Sequence, residues 1–261
     1  MKTLLVGDTH LNSTTILKYV ISVATEHEIE RIIFLGDYVD QHYCADCSSL
    51  YFYELIHLLE FKHTMKEDFN VQVLYLVGNH ELPYLINQPA HYSLTTSDFS
   101  EIADLLFQMD LQVAFQLDDF LVSHAGFLKG WELDDWHLKP FRQKDIEKIK
   151  ILDQAGSARG GKGLGSPCWA DFNEELTFYF NYKYLKQIVG HTPSRSISNE
   201  GTLICIDTFS LLPDKTPIGD GSLLIYDSGR VYKVNNLEWT TGENIEKIKK
   251  HFSRFIPQND R

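Results

Sequence analysis

The chain is 261 residues long and carries 36 acidic against 24 basic side chains, a formal net charge of −12 at pH 7. That balance argues against nucleic acid as a partner, because non-specific binding to its backbone rests on Lys and Arg contacts to phosphates. With 43% apolar and 23% charged residues, the composition is that of a globular protein able to bury a substantial core. The first apolar run, Leu4-Leu5-Val6, stops at Gly7-Asp8, and no later stretch approaches the ~20 apolar residues of a membrane span. Neither a signal peptide nor a membrane helix is expected. Four cysteines without a secretory signal predict free thiols in a reducing compartment, hence a cytoplasmic protein.

Residues 4–6 read as a short buried strand. Behind it, Ile16, Leu17, Val20, Ile21 and Ala24 recur at helical spacing, with Ser13 or Thr14 placed to cap the helix start. A second strand is expected over 31–35, a loop over 41–48, a buried helix over 50–61 and a third strand over 71–77. This β-α-β-α-β order has crossovers long enough for parallel pairing. Residues 99–109 predict a helix, while 112–117 and 120–123 alternate around Asp118-Asp119 as a hairpin. The charged stretch 143–153 reads as an exposed helix, and 156–165, with five glycines in ten residues, as a loop. Residues 173–185 predict a helix capped by Asn173, with Glu174 and Glu175 in its first turn. Strands return over 186–190, 202–207, 222–226 and 230–234, the last two joined at Asp227-Ser228-Gly229, and 243–255 predicts a C-terminal helix. Strands on both sides of the glycine loop feed one site, so residues 1–261 are expected to form one α/β domain of two packed mixed sheets flanked by helices.

Three short segments directly follow the first three apolar runs: Gly7-Asp8-Thr9-His10, Gly36-Asp37-Tyr38-Val39-Asp40 and Gly78-Asn79-His80-Glu81. In open α/β sheets, active sites are built beyond the carboxyl ends of the strands. Ser123-His124-Ala125-Gly126 and Gly190-His191-Thr192-Pro193 follow two later apolar runs in the same way. A lone Gly-Asp turn or a lone His carries little weight. Five strand ends delivering Asp8, His10, Asp37, Asn79, His124 and His191 carry a great deal. Carboxylate, amide oxygen and imidazole together suit Mn, Fe or Zn better than Ca or Mg. Six ligands are too many for one open tetrahedral site and fit two divalent ions sharing a bridging carboxylate.

The order GDTH, GDYVD, GNHE, SHAG and GHTP resembles the calcineurin-like metallophosphoesterases. It is most similar to their branch of serine/threonine phosphoprotein phosphatases and diadenosine tetraphosphate hydrolases. Pro193 follows His191 by two residues, where many other branches place a second metal-binding His. Cys168-Trp169-Ala170-Asp171 and Ile206-Asp207-Thr208 also resemble late segments of that branch. The likeness spans about residues 3–230 and implies a four-layer sandwich with a motif-bearing core over about 3–234. It implies that Asp8, His10 and Asp37 hold one metal, and that Asp37 bridges to a second held by Asn79, His124 and His191. Two ions, Mn first and Fe or Zn as alternatives, would activate a water for attack on phosphorus. His80 would protonate the leaving group, oriented by Asp40.

The chain also departs from that pattern. Arginines that clamp phosphate oxygens in the phosphatases would fall at Gln41 and Val77. The glycine loop offers a replacement in Arg159, with Lys162 or Arg195 as alternatives. Cys44 and Cys47 lack the second cysteine pair of a zinc ribbon and are read as loop thiols beside the substrate rim. Tyr43, Tyr84, Tyr92 and Trp131 are candidates to line that rim. The expected activity is two-metal hydrolysis of a phosphoprotein or a small phosphomonoester. A diadenosine tetraphosphate or other nucleotide hydrolase comes second and a phosphodiesterase third. A non-catalytic binding protein would have no need of Asp40 and His80.

Overall fold

The computed structural model describes residues 1–256. Strand β1 (Thr3–Val6) is buried along its whole length and is followed by helix α1 (Ser13–Glu26), strand β2 (Arg31–Phe34), helix α2 (Ser48–Glu67) and strand β3 (Gln72–Tyr75). A single helical turn, α3 (Leu82–Leu85), and helix α4 (Phe99–Gln108) lead to the hairpin β4 (Ala114–Leu117) and β5 (Phe120–Ser123). Short helices α5 (Ile146–Lys150) and α6 (Thr177–Tyr179) precede strands β6 (Lys186–Val189), β7 (Ser198–Glu200), β8 (Leu203–Cys205), β9 (Leu223–Asp227) and β10 (Arg230–Val234). Helix α7 (Gly242–Ser253) follows. Among the described residues, no helix is long and apolar enough to cross a membrane.

The strands form two five-stranded mixed sheets, ordered β10-β9-β1-β2-β3 and β4-β5-β6-β8-β7. In the first, β1, β2 and β3 run parallel and β9 pairs antiparallel with β1. In the second, β5, β6 and β8 are parallel between antiparallel edges β4 and β7. The period-2 alternation of strands explains the layering. Leu5, Ile33 and Leu76 face Val122, Ile188 and Ile204 between the sheets. Their neighbours Leu4, Val6, Ile32 and Phe34 turn outward onto α1, α2 and α7 through Val20, Leu55 and Phe252. The outer face of the second sheet packs Val189 and Cys205 under Phe172 and Leu176. The result is the expected α/β sandwich with helices outside.

Several local expectations give way to tertiary contacts. Neither Ser13 nor Thr14 caps α1: Asn12 holds the cap position without a side-chain cap. The Thr14 N–H donates instead to Glu54 of α2, at 2.9 Å. Helix α2 runs past Phe61 to Glu67, because Met65 is still buried. Residues 143–153 form only a 3-10 turn (Gln143–Asp145) and the short α5. The long helix expected over 173–185 is a π turn (Phe172–Leu176) and one turn of α6, capped by Asp171 rather than Asn173. The chain leaves the helix there because its backbone pairs with the 127–129 segment, Lys129 N–H to the Tyr179 carbonyl and Asn181 N–H to that of Phe127. Strand β7, polar and at an edge, has no apolar run to announce it.

Candidate active site

The parallel strands of both sheets end on one rim. Asp8 and His10 follow β1, Asp37 and Asp40 follow β2, Asn79 and His80 follow β3, and His124 and His191 follow β5 and β6. The loops are tightly made. Thr9 and His10 N–H groups donate to the Asp37 carbonyl at 3.1 and 2.8 Å. His10, Asp37, Asp40 and His191 all have left-handed backbones, with φ of 43°, 54°, 59° and 64°. Such conformations cost non-glycine residues roughly 1–3 kcal/mol each and persist where the surroundings over-determine them. Gly78 is required by close approach: a Cβ there would sit 2.1 Å from Asp37 Oδ1.

The side-chain donor atoms gather into two groups around Asp37, one with His10 and His80 and one with His124 and His191. His124 Nδ1 lies 2.9 Å from the Leu35 carbonyl, which can only accept, so this nitrogen carries the proton. In a neutral His124 the Nε2 lone pair then faces Asn79 Oδ1 at 3.1 Å, His191 Nδ1 at 3.1 Å and Asp37 Oδ1 at 3.5 Å. His124 Nε2, Asn79 Oδ1 and Asp37 Oδ1 are acceptors with no donor among them, the arrangement a cation requires, and His191 Nδ1 joins them when its own ring proton sits on Nε2. His10 repeats it: Nδ1 donates to the Asp40 carbonyl at 3.1 Å, leaving Nε2 3.6 Å from Asp37 Oδ2. The carbonyl contacts fix the tautomer and aim the ring, as in other metal-binding histidines.

Electrostatics agree with that reading. Burial lowers His124, and it lowers His10 to about 4 against the pull of Asp37. Burial and the neighbouring His124 hold His191 well below its ordinary value. These imidazoles are therefore neutral at pH 7 and available as ligands. Burial and the nearby Asp207 and Asp37 raise Asp8, and burial raises Asp207 to about 7. Carboxyls crowded this closely in a dry site ionise together more readily when a bound cation offsets their charge. Among the Asp and His side chains expected as ligands, only Asp8 stands outside both donor groups. Its carboxylate accepts the His191 N–H at 3.0 and 3.1 Å, which leaves other lone pairs for a cation.

His80 differs from the other rings. Its Nδ1 lies 3.0 Å from Asp40 Oδ2, and its Nε2 lies 4.0 Å from Asp37 Oδ2. Burial alone would lower it, but Asp37 and the Asp40 hydrogen bond lift it to about 9. The other Asp40 oxygen accepts from Tyr51 and Tyr84 hydroxyls at 2.8 and 2.6 Å. Tyr84 is thus a buried support for Asp40 and no part of the rim. Tyr92 does reach the rim, its ring 4.6 Å from that of His80.

Glu81 closes the set and was not singled out by residue type. It is fully buried, and its carboxylate accepts N–H groups of Tyr38 at 2.7 Å, Gly78 at 2.8 Å and Asp37 at 3.0 Å. It therefore ties the β2 and β3 loops together. Its signal lay in the last position of GNHE, a carboxylate one residue past a catalytic candidate.

The mouth of the site is a cavity of about 310 Å³ whose one Lys or Arg among the lining residues is Arg159. Gln41, His42, Tyr92 and Trp169 also line it. Arg159 pairs with Asp171 at 2.9 Å and approaches Thr192 Oγ1 at 3.4 Å. Lys162 and Arg195 are exposed and do not line the cavity, so of the three cations only Arg159 is placed for the substrate. Their loops turn them outward, the Arg195 carbonyl being bound to Asp220 N–H. Val77 is buried in the main core and could reach no phosphate. Tyr43 lines a different cavity, and Trp131 packs against the core. Cys44 and Cys47 are buried free thiols, and burial pushes them up to about 11 and about 12.

Strand-end carboxylates and imidazoles on a two-sheet α/β sandwich define a metal-assisted phosphoester hydrolase. The chain belongs to the calcineurin-like phosphoesterases, whose family profile matches residues 1–195. The family depends on divalent metals, and this chain is an enzyme of that hydrolytic class. No curated protein sequence matches it. Among solved structures it is similar to a cold-active protein-tyrosine phosphatase of a psychrophilic Shewanella species. The two share 18% identity over 90% of this chain and 77% of that one, with a TM-score of 0.61. A hypothetical protein from Pyrococcus horikoshii OT3 shares 12% identity over 99% of this chain and 95% of its own, with a TM-score of 0.52. A protein serine/threonine phosphatase from Saccharomyces cerevisiae shares 16% identity over 90% and 80%, with a TM-score of 0.51. At these identities the likeness is one of fold.

Proposed function

We propose that the chain hydrolyses phosphate monoesters, on a phosphoprotein or a small molecule, at a centre of two divalent metals. Asp8, His10 and Asp37 would hold one ion, and Asp37, Asn79, His124 and His191 the other, with Mn the first expectation. The observation that carries this is the convergence of His124 Nε2, Asn79 Oδ1 and Asp37 Oδ1 with no donor among them. Bound there, such ions supply positive charge that polarises the phosphoryl group and acidifies water.

The chain's own residues do the rest. His80, held protonated by Asp37 and Asp40, presents Nε2–H to the leaving oxygen and gives up its proton as the ester bond breaks. Asp40, itself fixed by Tyr51 and Tyr84, keeps the ring oriented. Arg159 binds a non-bridging phosphoryl oxygen in place of the clamp that Gln41 and Val77 cannot form.

A cavity of about 310 Å³ lies at the small end of ligand sites. It accommodates the phosphoryl end of a substrate whose bulk stays outside, which favours a monoester over a dinucleoside tetraphosphate. The test is an assay with added Mn²⁺ comparing a phosphopeptide, an aryl monoester, an aryl diester and a dinucleoside tetraphosphate, with Asp37→Asn as the blank. Monoester turnover well above the blank supports the proposal. A signal equal to the blank on every substrate overturns it.

A further inference from the structure

A second cavity, of about 800 Å³, opens between α1, α2 and α7 on residues separate from the metal-site cavity. In a chain of net charge −12, four of its lining residues are Lys18, Lys247, Lys250 and Arg254, against one lining carboxylate, Glu238. Lys247 is paired with Glu243 at 2.8 Å. Among the described residues, Lys18, Lys250 and Arg254 have no carboxylate within 4.0 Å, as every ion pair of the structure involves other cations. Like charges gathered at one mouth repel unless an anion joins them.

The lining is not only cationic. Tyr19 and Tyr53 contribute aromatic surface, Asn235, Asn236 and Asn244 contribute amides, and Trp239 backs the wall from the core. Trp239 is 2% exposed, and its indole N–H has no acceptor among the described residues. A buried donor left without an acceptor costs about 1–3 kcal/mol and is rare. The wall is preformed: buried Glu54 accepts from Thr14 N–H and hydroxyl at 2.9 and 2.7 Å and contacts His251 at 3.1 Å, tying α1, α2 and α7 together.

We propose that this cavity binds a nucleoside phosphate. Its volume far exceeds that of orthophosphate and suits a drug-sized ligand. The cations would take the phosphate groups, the tyrosines would offer faces for the base, and the asparagines would offer donors and acceptors for base edges and ribose. A hydrophobic peptide would leave three cations unanswered.

The probe is the α,β-methylene analogue of ADP, titrated calorimetrically into the full-length Mn-loaded protein and into Lys18→Glu/Arg254→Glu. We expect measurable binding to the parent and at least tenfold weaker binding to the variant, with aryl phosphate turnover unchanged in both. The milder Lys18→Gln/Arg254→Gln, checked by circular dichroism, should weaken binding in the same direction and shows that misfolding is not the cause. Three results overturn the proposal: no binding to the parent, equal affinity in parent and both variants, or orthophosphate binding the parent as tightly as the analogue in a competition titration.

Discussion

Arg159→Ala removes the one cation placed for the substrate, and its effect can be worked from its contacts. The guanidinium has five N–H donors and uses a 2.9 Å ion pair with Asp171 and a 3.4 Å approach to Thr192, leaving others for a phosphoryl oxygen. A hydrogen bond to a charged group contributes about 1.5–3 kcal/mol. If that contact tightens in the transition state, kcat/KM should fall roughly 10- to 150-fold. Stability should change by less than about 1 kcal/mol, because the pair with Asp171 is partly exposed. Asp171 also keeps its cap on Asn173 and Glu174 N–H groups without the arginine. Arg159→Lys should recover part of the loss as a point charge without the planar fork. The assay is initial-rate kinetics on an aryl phosphate with inhibition by orthophosphate, beside a thermal melt. Unchanged kcat/KM and unchanged orthophosphate inhibition in Arg159→Ala would refute the assignment, as would a loss matched by a large fall in Tm.

His80→Asn should lower kcat about 10²- to 10⁴-fold while bound metal is retained, and the deficit should shrink as the leaving alcohol becomes more acidic. A deficit independent of leaving group would remove His80 as the acid. Glu81→Gln sets an amide NH₂ against buried N–H groups of Asp37, Tyr38 or Gly78 and should destabilise the fold by about 2–4 kcal/mol, seen as a lower denaturation midpoint. A midpoint within error of the parent would show that the β2 and β3 loops do not depend on that carboxylate. Gly78→Ala drives a methyl to 2.1 Å from Asp37 Oδ1, so the carboxylate must move. Its metal content, read by elemental analysis, should fall, and full occupancy would show that the loop has slack.

How far the sequence reached depended on the range of the contacts involved. The strand-end placement of Asp8, Asp37, Asn79, His124 and His191 was legible because each lies one residue past an apolar run, and a strand's end is a local property. The hairpin at Asp118-Asp119 was legible for the same reason. Asp40's tyrosine partners were not, since Tyr51 and Tyr84 lie 11 and 44 residues away and meet only when α2 and α3 pack. The left-handed backbones of His10 and His191 also have no sequence signal, because nothing about a histidine announces that conformation. The helix expected over 173–185 failed where backbone pairing of Tyr179 with Lys129 and of Asn181 with Phe127 outweighed helical periodicity. Lys162 and Arg195 were reasonable candidates by charge, and only the fold shows them turned to solvent.

Two cations bound by this one set of side chains are tested most directly by metal stoichiometry. Protein purified with Mn²⁺, desalted and measured by elemental analysis should carry close to two ions per chain. Asp37→Asn, which alters the carboxylate shared by both donor groups, should carry fewer than one. Chelation should remove the ions, abolish turnover and lower the Tm, because Asp8 is then left buried among the charges of Asp37, Glu81 and Asp207. Fewer than one ion in the parent, or equal content in parent and Asp37→Asn, would contradict the two-metal centre.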